Sequence, residues 1–315
     1  MSILSKPYFH NEKAAFRHLE KLLWGDEPVC PHCGMVDRAG KLGGVKGKNG
    51  QVRLGLWKCY SCRKQFTVRV GTVFECAHIP LHKCLQAVHL MASSKKGVSA
   101  HQLHRILEIT YKSAWFLAHR IREAMRDGAL SPMGGAGKTV EIDETYIGRL
   151  KGQPYGKGPA HKNVVLTLVE RGGAARSFHI DSTSIADIIP IVRGNVKRET
   201  IVMTDEAPVY RGLGAEYLSH DAVNHGAKEY ARYSGDDVIS TNTVEGYYSI
   251  FKRGMKGVYQ HCAEKHLHRY LAEFDFRYSN RVGLGVDDQE RADRTIRGVT
   301  GKRLTYRGPR YQPRP

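Results

Sequence analysis

The stretch TVEIDETYIG, residues 139–148, reads as a β-strand that closes on an acidic pair, Asp143 and Glu144, and then on a glycine. Downstream, NVVLTLVERGGAARSFHI (163–180) reads as two more strands joined by a Gly-Gly turn. SIADIIPIVRGNV (184–196) has the spacing of a helix, and TIVMTDEA (200–207) is another short apolar strand ending in acid. Strands followed by helix–strand alternation predict an α/β domain built on a mixed sheet.

In such sheets functional groups gather where strands end, because side chains converge there on a cleft. Asp143 and Asp205 both occupy strand ends, 62 positions apart. Each has an acidic neighbour, Glu144 or Glu206, and strand alternation sends neighbours to opposite faces, so one of each pair enters the site. A third acid, Glu245, lies in STNTVEGYYSIFKRGMKG (240–257), which reads as a helix with Lys252 two turns further along. Two strand ends and one helix can bring three carboxylates around hard divalent cations, the arrangement used for in-line phosphoryl displacement. With 31 acids in the chain, the residues alone leave this choice open.

Upstream the chain changes character. Residues 11–24 have helical spacing, and Cys30-Pro-His-Cys33 and Cys59-Tyr-Ser-Cys62 form two matched CxxC knuckles. Four soft thiolates in two such turns point to one structural Zn²⁺ in a zinc ribbon. Arg63 and Lys64 follow the second knuckle and are candidates for nucleic-acid contact. A second metal around Cys76, His78, His82 and Cys84 is disfavoured, because buried thiols and surface histidines explain those residues. Residues 97–125 read as two helices, the first capped by Ser99, with a turn at 108–110. That layout suits a helix-turn-helix, with Tyr111 and Lys112 opening the recognition helix. SPMGGAGKT (131–139) is a linker, and residues 291–315, with eight Arg or Lys against one Asp, predict an extended basic tail. The expected division is an N-terminal helix (1–27), a zinc ribbon (28–75), a helical segment (80–128), a mixed-sheet domain (138–285) and the tail (286–315).

The composition agrees with that layout. A net charge of +18 favours a polyanionic partner, nucleic acid first, and 41% hydrophobic residues suffice for a core. No apolar run reaches the roughly 20 residues that span a bilayer, and no signal-peptide pattern is visible. The expectation is a cytoplasmic, nucleoid-associated protein without a membrane partner.

The succession VEIDETYIG, VER (169–171), MTDEAPVY (203–210), VNHGAKEYAR (223–232), TNTVEGYYSIFKRGMKGVYQH (241–261) and KHLHRYLAEFDFRYSNR (265–281), behind a zinc ribbon, resembles bacterial insertion-sequence transposases of the DDE class. The likeness is to the group related to Merlin transposons and runs from Cys30 to Arg281. It implies an RNase H-like catalytic domain, with Asp143, Asp205 and Glu245 holding two Mg²⁺ (or Mn²⁺) and Lys252 matching the lysine that follows the third acid by seven. Asn242, three residues before Glu245, is the alternative third ligand. Tyr248 and Cys84 stand where relatives often carry tryptophan. The implied activity is metal-dependent cleavage at element ends and transfer of the 3′-OH into target DNA. The implied partners are terminal inverted repeats, target DNA and further copies of the chain, with Lys252 and Arg253 near phosphate. A zinc-ribbon regulator without catalysis, or an RNase H-like structure-specific nuclease, are the alternatives.

Overall fold

The computed structural model describes residues 2–305 apart from 48, 49, 129, 155, 157, 228, 235 and 236. They form two units: residues up to Ser94, Val98–Arg126 and Asp288 onward in one, Lys95–Gly97 and Asp127–Asp287 in the other.

In the first unit, α1 (Glu12–Trp24) starts where the Asn11 side chain accepts the Ala14 N–H at 2.9 Å. Strands β1 (Ala39–Lys41), β2 (Trp57–Cys59) and β3 (Gln65–Phe66) make an antiparallel three-stranded sheet. Trp24 meets Trp57 and Phe66 edge-on, which seats the ribbon on α1. The buried Glu20 carboxylate accepts from Lys41 and from the Trp57 indole. α2 (Leu81–Ser93) buries Leu81, Leu85, Val88 and Met91, and Glu12 caps its first turn through the Leu81 and His82 amides. α3 (Ala100–Leu107) begins at Ser99 and ends at Glu108 in a left-handed conformation (φ 50°). α4 (Tyr111–Met125) follows, capped by Thr110, so the pair has helix-turn-helix layout.

The second unit is an α/β domain with an RNase H-like mixed sheet. Its strands are β4 (Thr139–Ile147), β5 (Asn163–Glu170) and β6 (Ala175–Ile180), then α5 (Ile185–Asn195), β7 (Ile201–Asp205) and β8 (Ser219–Val223). The order is β6-β5-β4-β7-β8, with β4, β7 and β8 parallel and β5 antiparallel to both neighbours. A separate hairpin, β9 (Ala231–Ser234) with β10 (Asp237–Ser240), precedes α6 (Asn242–Gly254) and α7 (Leu267–Ser279).

Seven of the eight β5 residues are buried, because helices cover both faces of the sheet. On one face Val140, Ile142 and Val202 pack against Ile188 and Val192 of α5 and against Tyr210. On the other, Val165 and Val169 pack against Val244, Tyr247, Tyr248 and Phe251 of α6 and against Phe274 of α7. Intrinsic propensity does not hold α6, since Gly246 alone disfavours it by roughly 1 kcal/mol. Burial does, at roughly 1.5–3 kcal/mol for each large apolar side chain.

The chain then re-enters the first unit as α8 (Asp288–Arg297). This corrects the expectation of an extended tail over residues 291–297. Arg291 pairs with Asp288 at 2.7 Å and Arg294 with Glu290 at 2.9 Å, so acids lying just upstream neutralise the arginines that suggested a bare cation. Ala292, Ile296 and Val299 are buried. Residues 306–315 of the expected tail lie outside the described residues. No helix among the described residues is long and apolar enough to cross a membrane.

Candidate active site

Parallel pairing of β4 with β7 joins Thr139 to Ile201 and Glu141 to Met203, a constant offset of 62 positions. Asp143 and Asp205 keep that offset two residues further on, so they share a sheet face. Asp205 ends β7 as expected, but Asp143 lies mid-strand, because pairing with β5 carries β4 on to Ile147. Both line a cleft of about 510 Å³ whose other walls include Ile185, Pro208 and Val209. Asp205 also accepts the Ala207 amide at 3.0 Å, which turns the chain sharply after the strand.

Burial pushes the Asp143 carboxyl up to about 7. The Glu144 amide, donating at 2.8 Å, opposes this, while the charges of Glu144, Asp205 and Glu245 add to it. Glu144 is raised too, chiefly by desolvation.

Helix α6 brings Glu245 to this place, held by two attachments to β4. At its start, the buried Glu141 accepts the Thr243 and Val244 amides at 2.7 and 2.9 Å. One turn on, Tyr248 Oη donates to the Asp143 carbonyl at 2.5 Å and to the Val165 carbonyl at 3.2 Å. Glu245 lies between the two. Its carboxylate accepts from Thr241 Oγ1 at 3.1 Å and stands 3.4 Å from His225 Nε2. Asn242 is exposed at the first position of the same helix. Lys252 is half-buried with its ammonium 5.7 Å from the Tyr248 ring, which places it above the residue that holds Asp143. Arg253 is exposed and bonded back to Ser249.

Three residues here were not singled out from the sequence. Glu141 and Arg171 carried one signal, an acid inside one apolar strand and a base directly after another. His225 sat in VNHGAKEYAR with no visible partner, since Glu245 is 20 positions away.

In the first unit the knuckles close. Cys30 and Cys62 sulfurs are 3.7 Å apart, as are those of Cys33 and Cys59, and all four lie within 4.8 Å of one another. Four sulfurs set tetrahedrally about 2.3 Å from one ion are about 3.8 Å apart, so the group fits Zn²⁺. The Cys62 and Ser61 amides help hold the Cys59 thiol down at about 6. Among the described residues no other group of three or more His, Cys, Asp or Glu has its ligand atoms so close together, the three acids included. His82 is instead bound to Glu12 at 2.7 Å, and the buried Cys84 thiol is pushed up to about 12 by desolvation. Arg63 and Lys64 are exposed beside the second knuckle, and Arg63 is left-handed (φ 63°). Tyr111 and Lys112 are exposed at the start of α4, with Tyr111 stacked on His101 at 4.3 Å.

Residues 134–279 match the ISXO2-like transposase domain, and residues 10–65 match the transposase zinc-ribbon domain. No curated protein matches the chain. A solved structure described as a cryo-EM structure of a simian T-cell lymphotropic virus intasome in complex with PP2A regulatory subunit B56 gamma shares 15% identity over 55% of this chain and 67% of that one. Its TM-score of 0.28 is too low to define even a common fold. Two transposase domains in the order zinc ribbon then sheet domain, the second carrying Asp143, Asp205 and Glu245, make the chain a member of the insertion-sequence transposases with an ISXO2-like domain, DNA transposases of the phosphodiester-cleaving DDE kind.

Proposed function

We propose that Asp143, Asp205 and Glu245 are the catalytic acids and bind two Mg²⁺ (or Mn²⁺), with Glu245 rather than Asn242 as the third ligand. The observation that carries this reading is the shared offset of Asp143 and Asp205 on adjacent parallel strands, beneath a helix whose Glu245 charge is felt at Asp143. Three carboxylates, two of whose charges add to the proton affinity of Asp143, are a donor set suited to a hard cation. Asn242 adds no charge. Bound, such ions supply the positive charge that activates an attacking oxygen and offsets the charge gathering on the phosphodiester.

The chain's own residues do the rest. Tyr248 fixes the backbone of Asp143, the Ala207 amide orients Asp205, and Lys252 reaches phosphate from the second turn after Glu245. Lys252 and Arg253 lie on the same helix as the third acid, so both are assigned to DNA backbone near the scissile bond. The reaction is hydrolysis at each element end, freeing a 3′-OH, followed by attack of that 3′-OH on target DNA. The ribbon, through one Zn²⁺ and the side chains of Arg63 and Lys64, and α4, through Tyr111 and Lys112, recognise the ends. Joining two ends requires more than one copy of the chain.

The test is transfer of a labelled element-end duplex into plasmid with Mg²⁺, comparing wild type, Glu245→Ala and Asn242→Ala. Loss of joining in Glu245→Ala alone is expected. Full joining by Glu245→Ala would move the third ligand elsewhere. Cutting without joining would make the protein a nuclease, and binding without either would make it a regulator.

A further inference from the structure

Glu141 is a carboxylate with no exposed surface, set in the middle of the central strand. Arg171 Nε donates to its Oε1 at 2.6 Å, and Thr243 Oγ1 to the same oxygen at 2.8 Å. Its Oε2 takes the Thr243 and Val244 amides at 2.7 and 2.9 Å. Four donors therefore fill both oxygens. The remaining Arg171 nitrogens reach the Val238 carbonyl at 2.6 Å, and the Ser240 carbonyl and hydroxyl at 3.0 Å.

An ion pair whose carboxylate is fully buried is a poor way to add stability, because desolvation consumes much of the attraction, and apolar residues hold a helix to a sheet as well. What an ion pair with four directed bonds adds is geometry. Glu141 and Asp143 are two residues apart on the same face of β4, and Thr243 and Glu245 are two apart in the first turn of α6. Fixing Thr243 on Glu141 thus sets both the height and the rotation of the helix that presents Glu245. Arg171 fixes Ser240, the residue before Thr241, and Thr241 Oγ1 donates to Glu245.

We infer that Glu141 and Arg171 are a positioning pair that orients the Glu245 carboxylate toward Asp143 and Asp205 for divalent-cation binding. The pair touches neither substrate nor cation and acts through Thr243 and Thr241. The inference rests on Glu245 being a ligand.

The test uses the full-length, zinc-loaded protein without DNA and Mn²⁺ as the probe, its free fraction read by electron paramagnetic resonance. Glu141→Gln keeps the shape but loses the charge and one acceptor. Its Mn²⁺ affinity is expected to fall roughly 10–100-fold, the usual effect of losing a group that orients a ligand. The Mg²⁺ needed for half-maximal end cleavage should rise in parallel, with the rate at saturating Mg²⁺ close to that of wild type. Thr243→Val removes only one hydroxyl, and should shift affinity in the same direction by less while leaving the melting temperature nearly unchanged. That variant decides the matter if Glu141→Gln does not fold. Wild-type Mn²⁺ affinity in folded Glu141→Gln, or in Thr243→Val when Glu141→Gln is unfolded, overturns the positioning role. Glu245→Ala separates the two levels: if it binds Mn²⁺ like wild type, the ligand assignment fails and the positioning role falls with it. If Glu245→Ala loses binding while Glu141→Gln keeps it, only the positioning role falls.

Discussion

Tyr248 in α6 donates its phenolic hydrogen to the backbone carbonyl of Asp143 in β4, at 2.5 Å. The bond crosses 105 residues of sequence and joins the helix of the third acid to the strand of the first. Tyr248→Phe keeps the ring in its pocket and removes the one hydrogen that the Asp143 and Val165 carbonyls share. The expected loss is about 1–2 kcal/mol of stability, read from urea unfolding, with end cleavage reduced by more than that loss of folded protein explains. Cleavage at the wild-type rate would show that packing alone holds α6.

Asp143 should be a site where activity opposes stability. Its carboxyl is raised from 3.8 to about 7 in the folded chain, so the fold holds this proton more tightly than the unfolded chain does. The group therefore favours folding below about pH 4 and loses that contribution as pH climbs through 7. Asp143→Asn removes the penalty at pH 8. It should stabilise the second unit there by about 1–2 kcal/mol, a figure discounted because the carboxylate keeps a solvent-facing edge, while abolishing cleavage. Thermal scans in magnesium-free buffer at pH 5 and pH 8 check this. A chelator must be left out, because it would also strip the ribbon. An equal effect at both pH values contradicts the assignment.

Arg63 holds in the second knuckle the place that Gly34 holds in the first, just after the second cysteine, and both are left-handed (φ 63° and 72°). An arginine there costs roughly 1 kcal/mol that glycine avoids. Arg63→Gly should leave the ribbon as stable or slightly more so, and weaken DNA binding. Removing one phosphate contact should reduce the slope of log K against log salt by about 0.9. Unchanged affinity and slope would exclude Arg63 from the interface.

Zinc content should be one ion per chain, and Cys59→Ser should lose it. Because Cys59 is buried in the ribbon's core with Cys30 and Phe66, the expected result is a disordered ribbon and loss of end recognition. The second unit should keep its own unfolding transition. Full zinc occupancy in Cys59→Ser would reject the four-cysteine site.

Much of this was legible in residue order. CxxC spacing is a local constraint, since each turn sets its own two thiols, and the ribbon follows from it. The acid at 205 was readable because it closes a short apolar strand, whereas the strand expected to end at Asp143 runs on to Ile147 through its pairing with β5. The alternation of β4 likewise left a choice between Asp143 and Glu144, which only the position of α6 could resolve.

What the sequence alone determined, then, is the chemistry carried by local pattern: a four-thiol ribbon, a mixed-sheet domain, and carboxylates carried on apolar strands. Tertiary structure decided the rest, because those features depend on residues far apart in the chain. Glu141 meets Thr243 across 102 positions, and His225 meets Glu245 across 20. The arginines of α8 find their acids only once 288–297 winds into a helix. A buried charge shows its purpose only through its partner, and the fold selects that partner.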